Sequence, residues 1–226
     1  MYDITLYGHL TVDTIFDGNS QKRTLGAMAN MWRTFSHIKD DALKVALSPT
    51  AYGEALIYID RDNSSRTSNA NLNKRTQYAK LRESKISHVL YINELPKLDF
   101  LSKLSGIVSA DTCAGKDVDL SLLKYIDYLF ISDDDAGQID QIICHTKGIT
   151  ILHSPTGSII FEGQNKIFEY QVPKQYMVNN VNVLGAGDMF ASYFLYATLR
   201  QQELRSAIEF AHTHTSQLIA LQNEKI

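Results

Sequence analysis

The chain has 226 residues, which is enough for one large domain or for a domain with a small appendage. Its composition, 44% hydrophobic and 21% charged, is that of a globular protein and excludes a wholly disordered chain. The net charge of −3 gives no support to a nucleic-acid-binding role, and two cysteines make neither a disulfide framework nor a zinc pattern. No basic signal segment and no long apolar run is present, so we expect a cytoplasmic protein that does not bind a membrane.

The first third of the chain predicts a few strands around one helix. We expect strands over 2–8, 10–16, 43–47 and 55–59, and a helix over 27–38. The polar tract 60–76 that follows is either a solvated loop or part of a small strand-rich flap over residues 52–75.

From residue 86 onwards, strands and helices alternate. We expect strands over 86–92, 106–110, 128–131 and 149–152, with helices over 96–104, 118–125 and 134–145 between them. Strand–helix–strand spacing of this kind predicts βαβ units and a parallel sheet. An antiparallel pair, 158–161 and 166–172, and two helices, 187–200 and 203–222, complete the chain. The fold class is therefore α/β, in one domain over 1–226.

The motif with the clearest chemistry is Gly185-Ala186-Gly187-Asp188, which lies directly before a strong helix. Two glycines let the backbone approach a ligand closely, and the free N–H groups of a helix N-terminus attract anions. Asp188 has a simpler interpretation as an N-cap residue. The functional interpretation is a carboxylate beside an anion hole, which suits proton removal from a hydroxyl during phosphoryl transfer.

This segment and the helix after it resemble the C-terminal signature of the ribokinase-like (PfkB) carbohydrate kinases, which is Asp-Thr-x-Gly-Ala-Gly-Asp before a helix. The matching helix begins with Met189-Phe190-Ala191-Ser192-Tyr193-Phe194-Leu195. Gly8-His9-Leu10-Thr11-Val12-Asp13 is similar to the family's opening strand and aspartate. Leu25-Gly26-Ala27-Met28-Ala29-Asn30 is similar to its Gly-Gly-x-x-x-Asn segment. The resemblance implies a three-layer fold with a mostly parallel central sheet and a small β lid, around residues 52–75 here.

The resemblance also implies a role for each matching residue. Asp188 would be the general base, and the amides of Gly185, Ala186 and Gly187 would form the anion hole for the γ-phosphate. The substrate would be bound by Asp13, Gly26 and Asn30. The nucleotide would be bound by Ser154, Gly157 and His212, and Asp135 would order Mg²⁺ through water.

Five departures from the family pattern concern the donor and the substrate. Leu25 replaces the first glycine of Gly-Gly, and Asn182-Val183 replaces Asp-Thr. In the nucleotide loop, 152–157, only Gly157 remains of the family's glycines, and Ser132 replaces the asparagine of the Asn-x-x-Glu motif. The chain is also shorter than usual members, apparently between residues 36 and 56.

The leading hypothesis is an ATP-dependent kinase that phosphorylates a hydroxyl group of a sugar or sugar-like molecule, with Mg²⁺ and with a monovalent cation left open. One alternative is a degenerate member that binds sugar or nucleotide without efficient catalysis. Another is a vitamin-precursor or nucleoside kinase. A flap at 52–75 with exposed strand edges predicts a homodimer.

Overall fold

The computed structural model describes residues 1–60, 62, 65–72, 79–113, 116–178 and 181–223, and for residues 65, 66 and 134–136 it describes the backbone only. The strands are β1 Tyr2–Asp17, β2 Ser20–Leu25, β3 Val45–Asp60, β4 Ser65–Leu72, β5 Ser84–Val89, β6 Ile107–Asp111, β7 Tyr128–Ser132, β8 Ile149–Ser154, β9 Gly157–Glu162 and β10 Asn165–Gln171. The α-helices are α1 Ala27–His37, α2 Ile139–His145, α3 Ala186–Leu199 and α4 Leu204–Asn223. Short 3-10 helices cover Leu101–Lys103, Leu120–Tyr125, Asp133–Gln138 and Lys174–Tyr176.

The chain divides into two compact units, which are taken separately here. The first unit consists of Met1–His9, Asp40–Ala51 and Thr76–Gln171, and the second of Leu10–Lys39, Tyr52–Arg75 and Val172–Ile226. The one-domain organisation inferred from the sequence stays a prediction.

The first unit contains the parallel sheet that the alternating pattern predicts. Its strand order is β10-β9-β8-β7-β6-β5-β1-β3. The steps from β1 through β5, β6 and β7 to β8 are parallel, whereas β8, β9 and β10 pair antiparallel. The predicted α/β class and the antiparallel pair at its end are confirmed.

The core of the first unit explains why one of the predicted helices is absent. A helix is expected over 96–104, but only Leu101–Lys103 form a 3-10 turn. The apolar residues Ile92, Leu95, Phe100 and Leu101 are all buried against the sheet along an irregular path. Their burial is thus achieved without a helix, since tertiary packing outweighs a weak local preference in so short a segment.

The second unit confirms the predicted flap as a pair of strands. Residues 53–60 of β3 pair antiparallel with residues 65–72 of β4, and residues 12–17 of β1 pair with β2. The strands expected at 43–47 and 55–59 are parts of the single long strand β3. Residues 73–75 of the predicted lid lie outside the described residues.

The helices of the second unit are α1, α3 and α4. Nine of the fourteen residues of α3 are buried, so this helix is apolar on nearly all sides, as expected for a central helix. It packs against both α1 and α4. Among the helices that the structure describes, none combines the length and the hydropathy that a membrane span requires.

Candidate active site

Asp13 occupies a buried position on the second half of β1. Alternate residues of a strand face the same side, and here Thr11, Asp13 and Ile15 are buried whereas their neighbours are half-buried. Asp13 is only 6% exposed. Its Oδ1 accepts a hydrogen bond from Thr11 Oγ1 at 2.5 Å. A buried carboxylate of this kind is suited to accepting hydrogen bonds from hydroxyl groups.

Gly26 brings the start of helix α1 close to this carboxylate. Its backbone N–H donates to the Thr11 carbonyl at 3.0 Å, and it is the residue that precedes the first turn of α1. A β-carbon at Gly26 would lie 2.1 Å from Thr11 Oγ1 and 2.9 Å from Asp13 Oδ1. The space beside Asp13 therefore requires glycine at this position.

Asn30 and Asp188 are joined directly, although 158 positions separate them in the chain. The Nδ2 atom of Asn30, in the first turn of α1, donates a hydrogen bond to Asp188 Oδ2 at 2.9 Å. Asp188 lies in the first turn of α3 and is 4% exposed. Its carboxylate is thus held by a side chain of another helix, which a simple N-cap role would not require.

The turn before α3 places backbone amides next to this carboxylate. Gly185 has φ +79°, in the left-handed region that glycine adopts readily. Within the described residues, no group accepts a hydrogen bond from the N–H of Gly185 or Gly187. The Ala186 N–H differs from them, since it donates to the Val183 carbonyl at 3.0 Å within the turn. Two of the three predicted amides are therefore open at a helix N-terminus, where anions bind.

Sequence reasoning missed the residues that support these side chains. Arg33 Nη1 donates to Asn30 Oδ1 at 3.1 Å, and Arg33 Nη2 donates to Thr24 Oγ1 at 2.9 Å. Thr24 lies opposite Asp13 in the β1–β2 ladder. The i,i+3 spacing of Asn30 and Arg33 on a helix allows their side chains to meet, but spacing alone does not single out Arg33.

The predicted nucleotide residues Ser154 and Gly157 lie in the first unit, at the tight turn between β8 and β9. Ser154 Oγ accepts hydrogen bonds from the N–H groups of Thr156 and Gly157, each at 3.2 Å. A β-carbon at Gly157 would lie 2.1 Å from the Tyr170 carbonyl oxygen on the neighbouring strand. The pairing of β9 with β10 is thus a sufficient reason for glycine at this position.

His212 and Asp135 complete the predicted set. His212 lies on α4 and is 6% exposed, with its ring centroid 4.7 Å from that of Phe190 on α3. Asp135 lies in the 3-10 helix Asp133–Gln138, but its side chain is outside the described part of the structure. No three histidine, cysteine or acidic side chains converge within the described ranges.

The second unit therefore brings together five of the predicted residues: Asp13, Gly26, Asn30, Gly185 and Asp188. They provide a buried carboxylate held by an amide, a second buried carboxylate packed against the start of α1, and open N–H groups at the start of α3. Such an arrangement can accept a proton from a hydroxyl group and stabilise negative charge that develops nearby.

Several solved structures share the fold of this chain. A ribokinase from Cryptococcus neoformans var. grubii serotype A, in complex with ADP, aligns with a TM-score of 0.74 at 14% identity, covering 97% of this chain and 94% of that chain. A ribokinase from Thermotoga maritima aligns with a TM-score of 0.69 at 16% identity, covering 97% and 93%.

A pyrophosphate-dependent kinase of the ribokinase family, complexed with a pyrophosphate analog and myo-inositol, aligns with a TM-score of 0.63 at 16% identity, covering 96% and 95%. No curated protein matches the chain in sequence. Because identities are this low, the structural similarities establish a ribokinase-like fold and nothing finer.

The sequence itself carries the assignment further than the fold does. Residues 50–223 match the model of the pfkB family carbohydrate kinases. This range includes the Gly185–Asp188 turn and both C-terminal helices. The chain therefore belongs to the pfkB family of carbohydrate kinases, and it is a kinase phosphotransferase with the ribokinase-like α/β fold.

Proposed function

We propose that this kinase transfers a phosphoryl group from ATP to a hydroxyl group of a sugar or sugar-like molecule, with Asp188 as the general base. The carboxylate removes the hydroxyl proton while the oxygen attacks phosphorus. The N–H groups of Gly185 and Gly187 stabilise the charge that builds up on the transferred group.

The observation that carries this proposal is the hydrogen bond from Asn30 Nδ2 to Asp188 Oδ2. An amide N–H that donates to a carboxylate favours its ionised form, which is the form a base needs. The bond also fixes Asp188 next to the N-terminus of α3, so that base and anion hole belong to one rigid turn. A capping aspartate would instead direct its oxygens at its own helix.

The donor fits the start of α3 because this is the place with open amides and a glycine in the left-handed conformation. ATP would supply the phosphoryl group, and Mg²⁺, when bound, would neutralise charge on its phosphates. Mg²⁺ commonly keeps several waters and few protein ligands, so a single carboxylate such as Asp135 suffices for it. We keep Ser154, Gly157 and His212 as proposed nucleotide contacts.

The acceptor is proposed to be a polyhydroxylated molecule. Asp13, which packs against the start of α1 at Gly26, accepts hydrogen bonds from its hydroxyl groups. The pyrophosphate-dependent relative is described with myo-inositol, which is a cyclic polyol. An assay panel should therefore contain sugars, cyclic polyols and nucleosides as acceptors, and both ATP and pyrophosphate as donors.

The test of this proposal is Asp188→Asn in that assay. We expect kcat to fall by about 10²–10⁴-fold, as for the loss of a general base, with acceptor binding retained. Asparagine keeps the size of the side chain and can still accept from Asn30. Normal turnover by Asp188→Asn would show that the assignment of the base is wrong.

The same experiment separates catalysis from binding alone. A degenerate family member would show ligand-dependent thermal stabilisation but no turnover by the unmodified protein with any donor and acceptor. The buried, amide-held carboxylate favours the active enzyme, because a carboxylate without a function would gain little from burial.

We also propose a homodimer formed through the exposed face of β3 and its neighbours in the second unit. Tyr52, Leu56 and Tyr58 are 38%, 45% and 52% exposed on this strand. Apolar side chains clustered at the surface in this way are typical of an interaction site.

A further inference from the structure

Arg33 belongs to a chain of three hydrogen bonds that runs from Thr24 to the proposed base, Asp188. Its Nη2 donates to Thr24 Oγ1 at 2.9 Å, its Nη1 donates to Asn30 Oδ1 at 3.1 Å, and Asn30 Nδ2 donates to Asp188 Oδ2 at 2.9 Å. All four residues belong to the second unit. Within the described residues, Arg33 forms no ion pair with a carboxylate, so its polar contacts are these two neutral oxygens.

The amide of Asn30 lies between the Arg33 guanidinium and the Asp188 carboxylate, and the chemistry of these two groups allows it only one orientation. A guanidinium group has donors and no acceptor, and an ionised carboxylate has acceptors and no donor. The amide of Asn30 must therefore present its oxygen to Arg33 and its NH₂ group to Asp188. A rotation of the amide by half a turn would place two donors against each other on one side and two acceptors on the other.

We propose that Arg33 is a positioning residue, which fixes the amide of Asn30 so that its N–H stays on the carboxylate of Asp188. The inference rests on the proposed function, in which that carboxylate is the base. Thr24 holds the second arm of the guanidinium, and the planar fork of arginine reaches both oxygens at once.

Removing Arg33 changes what Asp188 can do. The amide of Asn30 is then free to rotate, and its oxygen can accept a hydrogen bond from a protonated Asp188 carboxyl. The amide oxygen then stabilises the protonated form, which cannot act as a base, and the ionised form loses the N–H donor that favours it. The enzyme variant should therefore need a higher pH to become active.

Other ionisable groups near this network come from β1 and α4. Asp13 on β1 lies beside Gly26 at the start of α1, and His212 on α4 packs against Phe190 of α3. Within α3 itself, Ser192 Oγ donates to the Asp188 carbonyl and is neutral. Because Asp13, His212 and Ser192 are unchanged in each variant below, a change in the pH profile reports on Arg33.

The experiment compares Arg33→Met with Arg23→Met by kcat/KM across the acidic limb of the pH–rate profile. Arg23 is a matched control, since its side chain is 65% exposed in the same unit and lies 4.0 Å from Glu54, outside the network. We expect Arg33→Met to move the acidic limb upward by about 0.5–1 pH unit, with kcat falling more than KM rises. Arg23→Met should keep the profile of the unmodified enzyme.

A graded series makes the result independent of one variant. Arg33→Lys should give a smaller shift, because lysine can donate to Asn30 but cannot reach both oxygens as a planar fork. Thr24→Val leaves Arg33 in place and removes its second acceptor, so it should also give a small shift. If Arg33→Met does not fold, these two variants carry the test.

A second readout does not require turnover. NMR of protein labelled at aspartate can follow the carboxyl carbon of Asp188. The carboxyl group should titrate at a higher pH in Arg33→Met than in Arg23→Met. Equal profiles and equal titrations in the two variants would overturn the role of Arg33 and leave Asp188 as the base. Full activity of Asp188→Asn would instead overturn the proposed function.

Discussion

Gly26 and Asp13 lie so close together that no side chain fits between them. A β-carbon on Gly26 would fall 2.9 and 3.0 Å from the two carboxylate oxygens of Asp13, and 2.1 Å from Thr11 Oγ1. The backbone of Gly26, with φ −77°, is open to any residue, so the requirement for glycine comes from space alone. The family-like glycine at this position thus lets the start of α1 pack directly against a buried carboxylate.

Gly26→Ala is therefore expected to impair acceptor binding first. The methyl group must displace Thr11 or Asp13, and we expect KM for the acceptor to rise about tenfold or more, with about 1–3 kcal/mol of stability lost to overpacking. Steady-state kinetics and thermal unfolding measure the two effects. Gly137→Ala is the control, because a β-carbon there meets nothing within 4 Å. Unchanged KM in Gly26→Ala would show that Asp13 does not contact the acceptor.

Gly185→Ala separates backbone strain from damage to the site when it is compared with Gly163→Ala. Both glycines have positive φ, +79° and +53°, so each substitution should cost about 1 kcal/mol of stability. Only at Gly185 would the new β-carbon approach the site, at 3.0 Å from Asn30 Nδ2. We expect both variants to melt at similarly reduced temperatures, and only Gly185→Ala to lose kcat. Equal kcat in both would remove the turn before α3 from the mechanism.

The parts of the fold that could be predicted are those in which local pattern and packing agree. The apolar runs around Leu129 and Ile151 are strands because parallel strands in the middle of a sheet are buried on both faces. The segment around Pro96 has the same apolar content, yet its residues reach the core through turns, and nothing local distinguishes that path from a helix.

The candidate site divides in the same way. Gly185 and Asp188 could be found because the turn and the helix are consecutive in sequence. The bond between Asn30 and Asp188 joins residues 158 positions apart, and its geometry depends on how α1 packs on α3. Arg33 could not be ranked above any other exposed arginine until that packing was known.

The exposed face of β3 yields a prediction about assembly. Along β3, Ala55 and Ile57 are buried, and with Ile15 they form an apolar cluster against which Leu184 packs. Leu56 and Tyr58 point to the opposite side, where the Tyr58 ring stacks on Phe16 at 4.9 Å between ring centroids. This face therefore carries exposed apolar side chains on both sides of Glu54, and it has no covering layer among the described residues of the second unit.

The double variant Leu56→Lys, Tyr58→Lys should convert the proposed homodimer into a monomer, because two ammonium groups would be buried at the interface. Light scattering or analytical ultracentrifugation gives the mass. Tyr125→Lys is a control of equal chemistry, since Tyr125 is 37% exposed in the first unit. A monomeric unmodified protein would contradict the proposal at once.

Asp3 provides a prediction about pH and stability that does not depend on the site. Its carboxylate accepts hydrogen bonds from Lys85 Nζ at 2.8 Å and from the Lys44 N–H at 2.9 Å. Partial burial acts to raise the pKa of Asp3, but these two hydrogen bonds and the nearby lysine charges outweigh it and lower the pKa below 3.8. The folded state favours the ionised form of Asp3. Asp3 therefore stabilises the fold at pH values above the pKa that this carboxyl has in the unfolded chain. That contribution disappears as the pH falls through the folded-state pKa.

Asp3→Asn should thus lower the free energy of unfolding at pH 7 by about 1 kcal/mol or less, since solvent screens a pair as exposed as this one. The loss should shrink in high salt, and also at acidic pH below the folded-state pKa, where the unmodified carboxyl is itself protonated. Urea unfolding at neutral and at acidic pH measures these losses. With Lys85→Met and the double variant Asp3→Asn, Lys85→Met, it completes a double-mutant cycle that gives the interaction energy of Asp3 and Lys85. A loss of equal size at both pH values would mean that the neutral hydrogen bond to Lys44, and not the ion pair, stabilises the start of β1.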